Sequence, residues 1–216
     1  MKFLIVDDHA LLRDGLRLTV QALGLEVVAL EAMDAAGALA LLAAHPDVDL
    51  VLLDLMLPGV NGFSALEQMR HQFATIPVVV ISSADESRDV IRALDAGAMG
   101  FIPKSSRREV ILHALRLVLS GGVYIPPEVF GRHSNSHQEA HAPRPQPLDE
   151  LGLTERQLQT LRLLAQGKPN KVIARELGIA EATVKAHITE IFRALKVTNR
   201  AQAAIAARRL ATFDPS

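Results

Sequence analysis

Over the first 122 residues, apolar runs of three to five positions alternate with longer stretches whose apolar residues recur every three or four. The short runs predict strands at Phe3 to Val6, Glu26 to Leu30, Leu50 to Leu53, Val78 to Ile81 and Gly100 to Ile102. The longer ones predict helices at Leu11 to Leu23, Ala35 to His45, Ser64 to Gln72, Arg88 to Ala96 and Arg107 to Leu119. Gly24, Gly97 and Gly121 stand where three of these helices should stop, and Ser106 with Glu109 has the spacing of a capping box for the last. Five consecutive βα units imply an α/β fold: a doubly wound parallel sheet with helices on both faces. Its binding edge should be formed by the carboxyl ends of the strands.

The pattern changes after that. Residues 131–150 hold three prolines and three histidines with few large apolar side chains, the composition of a tether. We assign residues 123–148 as a linker between a domain at 1–122 and another at 149–212. His133, His137 and His141 are four apart, but the prolines at 143, 145 and 147 argue against the helix that would align them as metal ligands.

Beyond the linker the period is helical throughout, with breaks at Gly167 to Pro169, at Gly178 and at Val197 to Asn199. An all-α domain of four helices is predicted. Thr154 and Gln157 form a capping box for the first, and Leu158, Leu161 and Leu164 make its apolar stripe. In the third, Val184, Ile188, Ile191 and Leu195 mark a buried face, which places Lys185, Ala186 and Thr189 on the opposite one. A short helix, a turn at Gly178 and a second helix presenting Lys, Ala and Thr is a helix-turn-helix pattern suited to the major groove. Lys171, Thr183, His187 and Arg200 are candidates for phosphate contacts.

Charge supports two domains with different partners. Residues 1–122 carry 10 Lys+Arg against 15 Asp+Glu, a net of −5, whereas residues 149–216 carry 11 against 7, a net of +4. Two carboxylates interrupt the first apolar run, which fits neither a signal peptide nor a membrane anchor, and the chain has no cysteine. A cytoplasmic protein without a membrane partner is expected.

Asp7 and Asp8 follow the first predicted strand, Asp54 the third and Ser82 the fourth, while Lys104 comes just after the fifth. Carboxylates gathered at one sheet edge repel one another unless a cation compensates. Oxygen ligands favour Mg²⁺, and a carboxylate neutralised in this way can attack phosphorus. Asp54 is thus a candidate phosphoryl acceptor. "LIVDD", "VLLDLMLPGVNG", "VVVISS" and "GFIPK" resemble the receiver domain of bacterial response regulators, the CheY-like fold. The resemblance implies that Asp54 takes a phosphoryl group from a sensor histidine kinase. It also implies that Asp7, Asp8, Asp54 and the Met56 backbone carbonyl bind Mg²⁺. Ser82 and Lys104 would then hold the phosphoryl oxygens, and Phe101 would shift when Ser82 moves. The positions that often help water attack the acyl phosphate are Met56 and Ala84, neither able to orient a water, which implies a long-lived phosphoryl group. Ser105 stands where many receivers have a proline, which argues against a cis peptide there.

"LTERQ", "LLAQGKPNKVIARELGI", "TVKAHI" and "LKV" resemble, in order and spacing, the LuxR-type DNA-binding domain. Together with a receiver, the chain resembles NarL/FixJ-type response regulators. That resemblance implies base reading by Lys185, Ala186 and Thr189 in double-stranded DNA, and a homodimer joined through the Ala-rich face of the fourth helix. Pro169, Val172 and Ala180 depart from the family's capping residues, so Asn170 is expected to cap the second helix and Glu181 to assist the third. Two alternatives compete with a phosphorylation-controlled transcription factor. One is a constitutive DNA-binding protein whose receiver serves as an interaction module. The other is an Mg²⁺-dependent phosphohydrolase, disfavoured because Met56 replaces the second carboxylate such chemistry needs.

Overall fold

The computed structural model describes residues 1–24, 26–83, 87–127, 151–197 and 199–208. The chain divides into two compact units, Met1–Pro126 and Pro127–Ser216. Residues 128–150, which include most of the expected linker and its three histidines, lie outside the described residues, as do Ala84 and residues 209–212.

In the first unit, five parallel strands alternate with five helices. The strands are β1 (Lys2–Val6), β2 (Val28–Ala32), β3 (Leu50–Asp54), β4 (Val78–Ser82) and β5 (Gly100–Pro103). Their order across the sheet is β2-β1-β3-β4-β5. Every residue of β3 and β4 is buried, as a central parallel strand covered on both faces requires, hence their unbroken Val and Leu runs. The helices are α1 (Ala10–Gln21), α2 (Ala35–Ala44), α3 (Gly62–Gln72), α4 (Ser87–Asp95) and α5 (Arg108–Leu119). Phe3, Ile5, Leu50, Leu52, Val79 and Ile81 pack with Leu16 and Val20 of α1 and with Ile111, Leu115 and Val118 of α5. Residues at the alternate strand positions, such as Leu4, Val51 and Leu53, are just as deeply buried on the other face.

Strand β2 begins two residues later than its hydrophobicity predicts. Pairing with β1 sets its register, Lys2 opposite Val28 through Val6 opposite Ala32. As an edge strand it leaves Val28 54% exposed, so its apolar pattern is a weak guide. The capping box expected at Ser106 and Glu109 does not form. Ser106 donates its N–H to the Pro103 carbonyl in a turn, Arg107 becomes the N-cap without a side-chain bond, and the third helical position falls on Val110. Backbone pairing in this unit runs on past residue 122. Tyr124 extends the sheet beside β5, its carbonyl accepting from Phe101 N at 3.1 Å and its N–H donating to the Met99 carbonyl at 3.1 Å. Those bonds carry the first unit to Pro126.

The second unit contains α6 (Glu155–Ala165), α7 (Asn170–Leu177), α8 (Glu181–Leu195) and α9 (Arg200–Arg208). The capping box of α6 is present: Gln157 N donates to Thr154 Oγ1 at 3.3 Å, and Thr154 N to Gln157 Oε1 at 2.7 Å. Leu161, Leu164, Ile173, Val184, Ile188, Ile191 and Phe192 form the core, and Ala203 and Ala207 of α9 are buried with them. Part of the Ala-rich face of α9 is therefore occupied inside its own domain. Asn170 does not cap α7. Pro169 is the N-cap, and Asn170 Oδ1 accepts instead from Arg200 Nη1 at 3.1 Å. Helix α7 ends at Gly178 with φ 66°, the left-handed conformation that glycine adopts without a Cβ penalty. Ala180 precedes α8 with no side-chain cap, and Glu181 supplies a negative charge in the first turn.

Candidate functional site

Parallel register brings the predicted residues to one sheet edge. Val6 lies opposite Leu53, Asp54 opposite Ile81 and Ser82 opposite Pro103, so Asp7, Asp54, Ser82 and Lys104 emerge side by side. Asp7, Asp54 and Ser82 are each at most 1% exposed. The Lys104 ammonium reaches Asp54 Oδ2 at 2.7 Å in a hydrogen bond and stands 2.9 Å from Asp7 Oδ2. Burial pushes this ammonium toward its neutral form, but hydrogen bonds and charge from Asp54 and Asp7 outweigh it and raise its pKa above the usual lysine value.

Asp54 Oδ1 accepts from the Met56 N–H at 3.1 Å, which pins the loop after β3 to the acid. That loop folds tightly onto α3. A Cβ on Gly62 would come within 2.3 Å of the Leu55 Cα and 2.4 Å of the Leu55 carbonyl oxygen, so no side chain fits at the start of α3. We expect Gly62→Ala to push this loop outward and to cost about 1–3 kcal/mol in urea unfolding, as overpacking does elsewhere. An unchanged urea midpoint would show that the loop yields freely.

Ligand atoms of Asp7, Asp8, His9 and Asp54 lie within 4.8 Å of one another. Asp7 Oδ2 is buried and faces the Lys104 ammonium at 2.9 Å. Three carboxylates so close together, two of them buried, supply the oxygen donors that a hard divalent cation takes. Two contributors were not singled out from sequence. The backbone N–H of His9 donates to Asp7 Oδ1 at 2.8 Å, and Arg13 Nη1 donates to the Asp7 carbonyl at 2.8 Å. Their only sequence signal is proximity to the Asp pair. Beside the acids opens a cavity of ≈ 610 Å³ whose walls include Asp8, Met56, Val60, Phe63 and Arg92. The Arg92 guanidinium stacks 4.0 Å from the Phe63 ring centroid and ties α4 to α3. Phe101 is fully buried in β5.

In the second unit, Lys171, Thr183 and Ala186 are exposed, and Lys185 and Thr189 are half-buried on the same helix. The Thr189 hydroxyl donates back to the Lys185 carbonyl at 3.1 Å. Two of the residues expected at phosphates also make contacts within the domain. Arg200 is half-buried and donates to Asn170 Oδ1 and to the Lys168 carbonyl, tying the start of α9 to α7. Burial pulls its guanidinium pKa down to about 10. His187 is half-buried, with Nδ1 3.3 Å from Thr160 Oγ1 of α6, an intradomain contact. Spacing alone could not show that these side chains also hold helices together.

Comparison with known proteins decides the family. Residues 3–116 match the response regulator receiver domain, and residues 151–207 match the bacterial regulatory proteins of the luxR family. This chain belongs to the LuxR-type response regulators. It is 41% identical over 216 residues to the glycerol metabolism activator of Pseudomonas putida, covering 95% of this chain and 94% of that one. It is 40% identical over 206 residues to the nitrate/nitrite response regulator protein NarP of Escherichia coli, covering 94% and 92%. A two-component response regulator of the LuxR family from Aurantimonas superposes with a TM-score of 0.55 at 31% identity, over 60% of this chain and 92% of that one. The response regulator is thus a two-component transcription regulator with a LuxR-type DNA-binding domain, in a family of regulators rather than enzymes. Phosphorylation control is typical of its receiver, and its two domains imply a kinase partner and DNA. Among the described residues, no helix is long and apolar enough to cross a membrane.

Proposed function

We propose that this response regulator accepts a phosphoryl group on Asp54 from a sensor histidine kinase, with Mg²⁺, and that the modification controls sequence-specific binding to double-stranded DNA. The observation that carries the reading is Lys104, whose ammonium joins Asp54 to Asp7 at 2.7 and 2.9 Å within a cluster of acids. Asp7, Asp8, Asp54 and the Met56 carbonyl would hold the ion, which when bound neutralises charge at the acids and the phosphoryl group. One Asp54 oxygen attacks phosphorus, the bond from phosphorus to the kinase imidazole nitrogen breaks, and the leaving imidazole keeps that electron pair. Lys104 and Ser82 then hold the phosphoryl oxygens. The added charge of about −1.5 to −2 draws both groups inward, and Phe101, in the strand leading to Lys104, follows.

Lys185, Ala186 and Thr189 read base edges. Lysine donates to guanine acceptors, the Ala186 methyl contacts a thymine methyl, and Thr189 presents its own methyl because its hydroxyl is engaged by the helix. Lys171 and Thr183 meet phosphates. One recognition helix reads few base pairs, so the working form is a homodimer on paired half-sites. Its compartment is the cytoplasm, where kinase and DNA are both within reach.

Selection from a random DNA pool with protein treated with acetyl phosphate and Mg²⁺ tests this function. A repeated motif should be enriched, and it should be retained more weakly by untreated protein. Equal retention by both forms would favour constitutive binding.

A further inference from the structure

The residue after the acid pair has no role assigned so far. His9 is the N-cap of α1, yet its side chain caps nothing in the helix. Its backbone N–H donates to Asp7 Oδ1 at 2.8 Å, and its ring Nδ1 lies 3.2 Å from that same oxygen and 2.7 Å from Asp8 Oδ1. Nδ1 is therefore the ring atom that faces both acids. Arg13 holds the Asp7 carbonyl at 2.8 Å and Glu31 Oε2 at 3.2 Å, which fixes the backbone of this turn and hence the target of the ring. His9 thus meets Oδ1 of Asp7 twice, while Oδ2 faces the Lys104 ammonium at 2.9 Å, so both oxygens of this buried acid are held in place.

We propose that His9 is a positioning residue for the divalent ion: its ring and backbone together hold Asp7 and Asp8 in the orientation that the ion needs. The inference rests on the Mg²⁺ reading above. Groups that orient metal-binding carboxylates are commonly worth about 10–100-fold in metal affinity, through the ligand they hold and not through a bond of their own. A carboxylate held in place serves Mg²⁺ and Mn²⁺ alike, whereas a direct imidazole ligand would favour Mn²⁺, the softer of the two.

Calorimetric titration of the full chain with Mg²⁺, and Mn²⁺ titration followed by electron paramagnetic resonance, test this. His9→Phe keeps a ring but loses the donor, and it should weaken both ions by the same factor, about tenfold. His9→Asn places an N–H at the same number of bonds from the backbone and should recover most of the loss. Thermal unfolding of the metal-free proteins separates this effect from a general loss of structure. Unchanged or tighter Mg²⁺ binding by His9→Phe would overturn the proposal, because the ring would then be idle or competing with the ion. A much larger loss for Mn²⁺ than for Mg²⁺ would also overturn it, by making His9 a ligand. If the native chain takes up no Mg²⁺ at all, the Mg²⁺ reading itself fails, and this inference with it.

Discussion

Asp54→Asn is expected to gain no mass when incubated with acetyl phosphate and Mg²⁺, while the native chain gains one phosphoryl group. The amide preserves the shape of the side chain, so the loop held by the Met56 N–H should persist. Chemically, however, the substitution removes everything the reaction needs. An amide oxygen is a poor nucleophile, and it no longer supplies the negative charge that holds the Lys104 ammonium at 2.7 Å. Intact-mass spectrometry of both proteins gives the answer directly. Uptake by both would move the acceptor to another residue, and uptake by neither would leave the constitutive DNA-binding reading. Release of many equivalents of phosphate by the native chain would point to the hydrolase. A single adduct that persists for hours would agree with Met56 standing two residues beyond the acceptor, where it cannot orient a water.

The second large effect concerns stability. Lys104→Ala should destabilise the metal-free chain by about 3–5 kcal/mol, the usual penalty for leaving buried charge uncompensated. Asp7 and Asp54, both about 1% exposed, would face each other without the ammonium that now spans them. Urea unfolding of the receiver transition measures the loss. Adding Asp54→Asn to Lys104→Ala should return part of it, because one of the repelling charges is gone; a double variant as unstable as Lys104→Ala would show that lost packing, not charge, is responsible. The pH dependence has a definite sign. A folded pKa raised above the unfolded value of 10.5 gives stabilisation that is complete below 10.5 and lost as pH rises through the folded pKa. The native chain should therefore keep its Lys104-dependent advantage through neutral and mildly alkaline solution and lose it only beyond pH 10.5.

Much of this molecule was legible before any coordinates. Central strands β3 and β4 announce themselves because parallel strands buried on both faces are apolar at every position, whereas edge strand β2 is half exposed and was placed two residues early. Caps were less legible. Thr154 and Gln157 form their box, but Ser106 and Glu109 have the same spacing and do not, because the turn after Pro103 shifts the helix start by one residue. His9 was missed because an imidazole beside two acids looks no different in sequence from one in solvent.

By itself, the sequence determined the alternation of strands and helices, the division into two domains of opposite charge, and the presence of acids, a hydroxyl and an ammonium at successive strand ends. These are local properties, set by periodicity and by residue type. Only the tertiary structure decided that β1 lies between β2 and β3, which seats Asp7 next to Asp54 and lets one Lys104 serve both. It alone also decided that Arg200 ties α9 to α7. The physical reason is common to both: which partner a charge finds depends on how the chain crosses over itself, and residues 50 apart in sequence can end 2.7 Å apart in space.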